Sequence, residues 1–215
     1  MKDLYFISGL GADERVFANL KPEGFRLHFI RWQKPFKNEG IEAYAARLSA
    51  EINTPSPVLV GLSFGGIMAV EIAKIVAVDA VILISSAKTS AEIPWYYKLA
   101  GAVRLNRIIP AGWLKRWGAV TEWFFGMEHP EYRAILKKML QDTDSDFLVW
   151  AIDKVINWKN KTTPSGVYHI HGTSDRLLPF AFTRPDASIR GGSHFMILDR
   201  AEEITALVQQ RLSGC

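Results

Sequence analysis

The sequence predicts an α/β fold built on a mostly parallel, doubly wound sheet of about six strands, and three observations carry that prediction. Two short apolar runs without polar alternation, residues 58–60 and 80–84, read as strands buried on both faces. Amphipathic helical stretches lie between the strand candidates, which makes βαβ units. Glycine-rich stretches follow the strands at Ser8-Gly9-Leu10-Gly11, Gly61-Leu62-Ser63-Phe64-Gly65-Gly66 and Gly191-Gly192. At the carboxyl edge of a parallel sheet such loops can approach a ligand with bare backbone.

Each element follows from its local pattern. Residues 2–7 form the first strand, and a short helix over about 13–20 turns Val16, Phe17 and Leu20 inward. The second strand spans 25–32, with Phe25, Leu27 and Phe29 on one face, and an amphipathic helix covers 41–52. Thr54-Pro55-Ser56-Pro57 breaks that helix and leads into the central strand. From Phe64 the spacing turns helical, with Ile67, Val70, Ile72 and Ile75 on the apolar side and Glu71 and Lys74 facing out. The fourth strand is 80–84.

The regular pattern then stops. Residues 88–163 hold six of the seven tryptophans and no convincing strand. Helices are predicted near 94–106, 111–125, 130–141 and 145–157, with Pro94, Pro110 and Pro130 near their starts. A stretch that leaves and rejoins one α/β pattern reads as a helical cap insertion within a single domain over 1–215; a separate small domain is the alternative. Strand spacing resumes at 167–170 and, weakly, at 187–190, and a final helix covers about 200–212.

The bulk properties bound the classes open to the chain. A chain of 215 residues with 48% hydrophobic and 22% charged content fits one globular domain with a full core. Its one cysteine is Cys215, so no intramolecular disulfide can form. No apolar run approaches the roughly 20 residues that span a bilayer. The first strand starts almost at Met1, which leaves no room for a signal peptide, and a cytoplasmic location is expected. The net charge of +4 lies entirely in 88–165, where 12 Lys/Arg face 8 Asp/Glu; the remainder is balanced. With no nucleic-acid motif beside it, that excess reads as a solvated basic face.

Gly61-Leu62-Ser63-Phe64-Gly65 is a G-x-S-x-G stretch between a buried strand and a helix. A hydroxyl exposed on so sharp a turn needs strained backbone at Ser63, which costs about 1–3 kcal/mol. Glycines two positions on either side remove Cβ atoms that would collide in the turn. The helix that follows aims free N–H groups at the place where an oxyanion would form.

On these residues the chain resembles the α/β-hydrolase family, whose nucleophile elbow has this pattern. The resemblance covers about residues 1–87 and 164–213. It extends to H-G-x-x-D-x-x-x-P at 171–179, similar to the family's acid loop, and to G-G-S-H-F at 191–195, similar to its histidine loop. The resemblance implies a nucleophile at Ser63, an acid at Asp175 and a base at His194, in the family's chain order. It implies an oxyanion hole from the N–H groups of Leu10 and Phe64. It also implies a core that begins at the family's third strand, with sheet order 2-1-3-4-5-6. One departure is Ser8-Gly9, where the family often has His-Gly. His171 competes with His194 as base and reads as a structural hydrogen-bonding residue.

Together these features predict a serine hydrolase that needs no cofactor and no metal, acting on a small-molecule ester with an apolar part, in the manner of a carboxylesterase. An acyl thioesterase is the second reading; a ligand receptor or a lyase on the same fold remains as a third. Trp95, Phe124 and Phe125 are candidates to line the substrate pocket. Neither nucleic acid nor an integral membrane association is expected, and the sequence does not fix the oligomeric state.

Overall fold

In the computed structural model the described residues are 2–102, 119–126 and 129–213. Residues 103–106 of the helix expected over 94–106, residues 111–118 of the helix expected over 111–125, Trp113, Trp117 and Cys215 lie outside them.

Six strands, β1 (Lys2–Ile7), β2 (Phe25–Ile30), β3 (Val58–Leu62), β4 (Ala80–Ile84), β5 (Val167–Gly172) and β6 (Ala187–Ile189), form one sheet in the order β2-β1-β3-β4-β5-β6. All five pairings are parallel. Every residue of β3 and β4 is buried, as their unbroken apolar runs require in a sheet covered on both faces. β2 is one of the two edge strands, and Leu27 and Phe29 stay more than one-third exposed there; Phe29 still stacks on Phe6 at 5.4 Å between ring centroids.

Alternate residues of each strand feed two separate cores. Leu4, Phe6, Val58, Val60, Ile82 and Ile84 pack on one face, against α7 (Met196–Asp199), α8 (Ala201–Ser213) and Leu136 and Met139 of α5 (Pro130–Asp142). Tyr5, Ile7, Leu59, Val81 and Leu83 face the other side. There they meet α1 (Ile41–Ser49), α2 (Phe64–Ile72) and α6 (Ser145–Ile156). The period of two along each strand thus sorts side chains into two layers, which is why helices wind on both sides.

Between β4 and β5 lie α3 (Trp95–Ala102), α4 (Ala119–Phe125), α5 and α6. Pro130 opens α5 at a first-turn position, and the Asp144 carboxylate caps α6 by accepting from Phe147 N–H at 2.9 Å.

One expected helical face is corrected. All nine residues of α2 are buried, Glu71 among them at 3% exposure. Its carboxylate accepts from Trp158 Nε1–H at 2.7 Å and pairs with Lys74 at 2.5 Å. Ile75, expected to face inward, is 56% exposed because α2 ends at Ile72. The outer side of α2 is covered by a residue 87 positions away in the chain, which local periodicity does not register.

Candidate active site

The turn after β3 places Ser63 at φ 51° and ψ −119°, a left-handed conformation that a non-glycine residue adopts only under local constraint. The constraints are visible. Ser63 N–H donates to Ile84 O at 2.9 Å, and Ser63 O accepts from Gly66 N–H at 2.9 Å and from Ser86 Oγ at 2.6 Å. A Cβ on Gly65 would overlap the carbonyl oxygens of Ile7 and Ser8, and one on Gly61 would overlap the backbone of Gly65 and Gly66. The glycines let β1, β3 and the head of α2 close around the partly buried Ser63 hydroxyl.

Asp175 follows β5, and its loop folds back on its carboxylate. Oδ1 accepts from Leu177 N–H at 2.9 Å and from Leu178 N–H at 2.8 Å, which leaves Oδ2 for His194 Nδ1 at 2.8 Å. His194, delivered by the loop after β6, sets Nε2 2.9 Å from Ser63 Oγ. Both Asp175 and His194 are almost fully buried. Because a carboxylate only accepts, His194 Nδ1 carries a hydrogen, and in the neutral form of the ring Nε2 faces the serine hydroxyl as an acceptor. The structure thus brings Ser63, Asp175 and His194 into one hydrogen-bonded chain, from positions 131 and 19 residues apart in sequence.

The loop after β1 lies against the elbow. An added Cβ on Gly9 would sit 3.4 Å from Ser63 Cβ, and Trp32 Nε1–H holds Gly9 O at 3.3 Å. Neither the Leu10 nor the Phe64 N–H is used in a backbone hydrogen bond among the described residues. Ser8 does not share the nucleophile's position: its buried Oγ donates to Ala12 O at 2.8 Å. Glu92, the alternative acid position after the fourth strand, accepts from the backbone N–H groups of Lys88 and Arg184.

Ser63, Leu10, Phe64 and His194 open into a cavity of about 260 Å³ whose other walls are mainly apolar, with Ile67, Ile152, Val155 and Ile156 among them. Of the three aromatic candidates, Phe125 lines this cavity, its ring 6.1 Å from the His194 ring. Trp95 is 64% exposed and Phe124 partly buried, and neither lines it. Tyr97, also a wall residue, donates its hydroxyl to Leu177 O at 2.9 Å; burial pushes that phenol up to about 12, so it stays a neutral donor.

Sequence reasoning missed the Ser86 clamp and the aliphatic wall. Ile152, Val155 and Ile156 do follow i, i+3, i+4 spacing on α6, but the same spacing marks core-facing positions. Among the described residues no group of three or more His, Cys, Asp or Glu side chains is placed to hold a metal ion. No described helix is long and apolar enough to cross a membrane.

No curated protein matches the sequence. By structure, the chain is similar to a thermophilic esterase from Thermogutta terrifontis, with a TM-score of 0.75 at 18% identity, covering 100% of this chain and 90% of that one. It is also similar to the enol-lactonase from Burkholderia xenovorans LB400, with a TM-score of 0.70 at 18% identity over 99% and 91% of the two chains. A bromoperoxidase from Bacillus anthracis matches with a TM-score of 0.69 at 16% identity over 99% and 92%. At such identities the likeness concerns the fold, which these proteins use for differently named activities. The model of the alpha/beta hydrolase family matches residues 5–207, nearly the whole chain. The chain belongs to the alpha/beta hydrolase family.

Proposed function

We propose that the protein is a serine hydrolase that cleaves carboxylic esters of small or apolar substrates through an acyl-enzyme on Ser63. The observation that carries this reading is the chain Ser63 Oγ–His194 Nε2 at 2.9 Å and His194 Nδ1–Asp175 Oδ2 at 2.8 Å, opening into a mainly apolar cavity. Ser63 attacks the ester carbonyl carbon as its hydroxyl proton passes to His194 Nε2. Asp175 holds the imidazole in the Nδ1–H tautomer and stabilises the imidazolium. The N–H groups of Leu10 and Phe64 receive the oxyanion; one such donor typically contributes about 10²–10³ in rate. Collapse of the tetrahedral species expels the alkoxide, which takes the proton from His194. Water then repeats the sequence on the acyl-enzyme and frees Ser63 and the acid.

The basic excess in 88–165 favours a second reading, an acyl thioesterase, because an acyl-CoA carries anionic phosphates. Turnover of a nitrophenyl ester against an acyl-CoA separates the two. Labelling by a fluorophosphonate tests their shared premise. Wild-type protein is expected to label and Ser63→Ala to lose both labelling and about 10⁴-fold or more of its turnover. Equal labelling of the two proteins would reject Ser63 as the nucleophile, and stoichiometric ligand uptake without turnover would make the protein a receptor.

A further inference from the structure

Asp175 is faced by two histidines. His194 takes its Oδ2 at 2.8 Å from one side, and His171 Nε2 stands 3.3 Å from the same oxygen on the other. His171 points that nitrogen at Leu178 O, 2.8 Å away, while its Nδ1 meets Nε2 of His169 at 3.0 Å. Both imidazoles are wholly buried at the end of β5.

The protons of this pair follow from what each nitrogen meets. Leu178 O and Asp175 Oδ2 are acceptors only, so His171 Nε2 carries a hydrogen. His171 Nδ1 then either accepts from His169 Nε2–H or donates to it. Donation would make His171 a buried cation and would leave His169 with a hydrogen on Nδ1, an atom with no partner among the described residues. A buried donor without an acceptor and a buried charge are both costly. Acceptance leaves only a bare lone pair on His169 Nδ1. The relay therefore runs one way: His169 Nε2–H to His171 Nδ1, and His171 Nε2–H to Leu178 O. Burial, the largest influence on each, also disfavours the charged form of both rings.

The consequence lies in the loop. Leu178 N–H and Leu177 N–H hold Asp175 Oδ1, and the Leu178 carbonyl is held by His171. Leu178 is thus held at both its N–H, by Asp175, and its carbonyl, by His171. We infer that His171 is a positioning residue for the hydrolytic chain: by holding Leu178 O and facing Asp175 Oδ2 with an N–H edge, it fixes the carboxylate in the orientation that His194 requires. This inference rests on the assignment of Ser63, His194 and Asp175 proposed above. His171 itself touches neither Ser63 nor the cavity, so its contribution through Asp175 is expected mainly in the chemical step.

Two variants of similar volume separate donation from packing. His171→Gln keeps an N–H near the position of Nε2, whereas His171→Met fills the space without a donor. His171→Met is expected to lower kcat about 10- to 100-fold, the scale of a misplaced catalytic group, with KM little changed. His171→Gln is expected to recover most of that loss. Fluorophosphonate labelling rates should follow kcat, and the far-downfield proton resonance of the His194–Asp175 hydrogen bond should shift or vanish in Met and return in Gln. Equal kcat in the two variants, or a loss seen only in KM, would overturn the role while labelling of wild-type Ser63 still stands. Absence of wild-type labelling would instead remove the reading beneath it. Should neither variant fold, nitrogen NMR of the wild-type histidines decides: His171 as the neutral Nε2–H tautomer from pH 6 to 8 supports the relay, and a proton on its Nδ1 refutes it.

Discussion

The elbow and the helical segment between β4 and β5 both surround the cavity, but they are held by different means. At the elbow the constraints are backbone against backbone: Gly65 under the Ile7 and Ser8 carbonyls, Ser63 N–H on Ile84 O, and Ser86 Oγ on Ser63 O. In the helical segment side chains make the contact. Gly101 of α3, for instance, lies against the Ile156 side chain of α6. Backbone contacts leave one geometry open, and side-chain contacts can repack. The proposed chemistry thus sits on the part that cannot adjust, and part of the cavity wall on the part that can.

Alanine at a glycine in each region tests this difference most strongly. In Gly65→Ala the new Cβ overlaps carbonyl oxygens of a neighbouring strand end, which cannot rotate aside. The expected cost exceeds the ~1–3 kcal/mol typical of an overpacked core, and labelling of Ser63 should be lost with it. In Gly101→Ala the new methyl meets the Ile156 side chain, and a helical alanine gains about 1 kcal/mol over glycine. Overpacking against the stiff Ile156 side chain, offset by that helical gain, should leave a loss of about 0–2 kcal/mol, smaller than at Gly65, with an added effect on KM because Ile156 is a cavity wall. Urea unfolding of both variants measures it; equal losses would erase the distinction.

Acid should act on the sheet side first. Burial holds His169 well below its ordinary value, with His171 and Lys88 adding to the effect. Burial also lowers His171, against the opposing pull of Asp175 and the Leu178 carbonyl. The unfolded chain binds protons on these groups near pH 6.5 and the folded chain does not, so stability falls as pH drops below that value. The expected slope is about 1.4 kcal/mol per pH unit for each histidine until its folded pKa is reached. Carboxylates held low by partners, such as Glu39 by Arg47, lose their contribution only near pH 4.5 and below. The interval between pH 6.5 and 4.5 therefore belongs to the histidine pair. A denaturation midpoint unchanged from pH 7 to 5 would contradict this.

The same contrast explains what could be read from the chain. Ser63, Asp175 and His194 were legible because each stands just past a strand end with glycine nearby, and parallel strands bring their carboxyl ends to one edge. The buried strands followed from unbroken apolar runs, whereas the sheet order followed from the resemblance to the family. What failed depended on distant partners. Glu71 looks like a solvent-facing helical residue until Trp158 arrives over it. His171 does hydrogen-bond as expected, but which partners it finds, Leu178 O and His169, is set by how the acid loop folds back on β5. The cavity wall on α6 has the composition of an ordinary core face, and only the position of the elbow beneath it gives it another use.

Truncating one aromatic at a time gives the finest test of the same contrast. Phe125 lies edge-on to Phe195 at 5.0 Å and borders the cavity beside His194. Its loss in Phe125→Ala removes apolar contact that a bound acyl or alcohol group would use. Half of a buried ring's transfer free energy is about 1.4 kcal/mol, which is roughly tenfold in KM with kcat less affected. Trp95 is exposed and absent from the wall, so Trp95→Ala should change kcat/KM on a small ester by less than about twofold, the scale of an ordinary surface substitution. Steady-state kinetics on esters of increasing acyl length distinguish the two positions. If Trp95→Ala grew as costly as Phe125→Ala on the longest esters, the substrate would be reaching beyond the cavity onto the outer face of α3. The helical segment would then be a binding surface on both of its sides, and its adjustability would serve substrate range as well as closure.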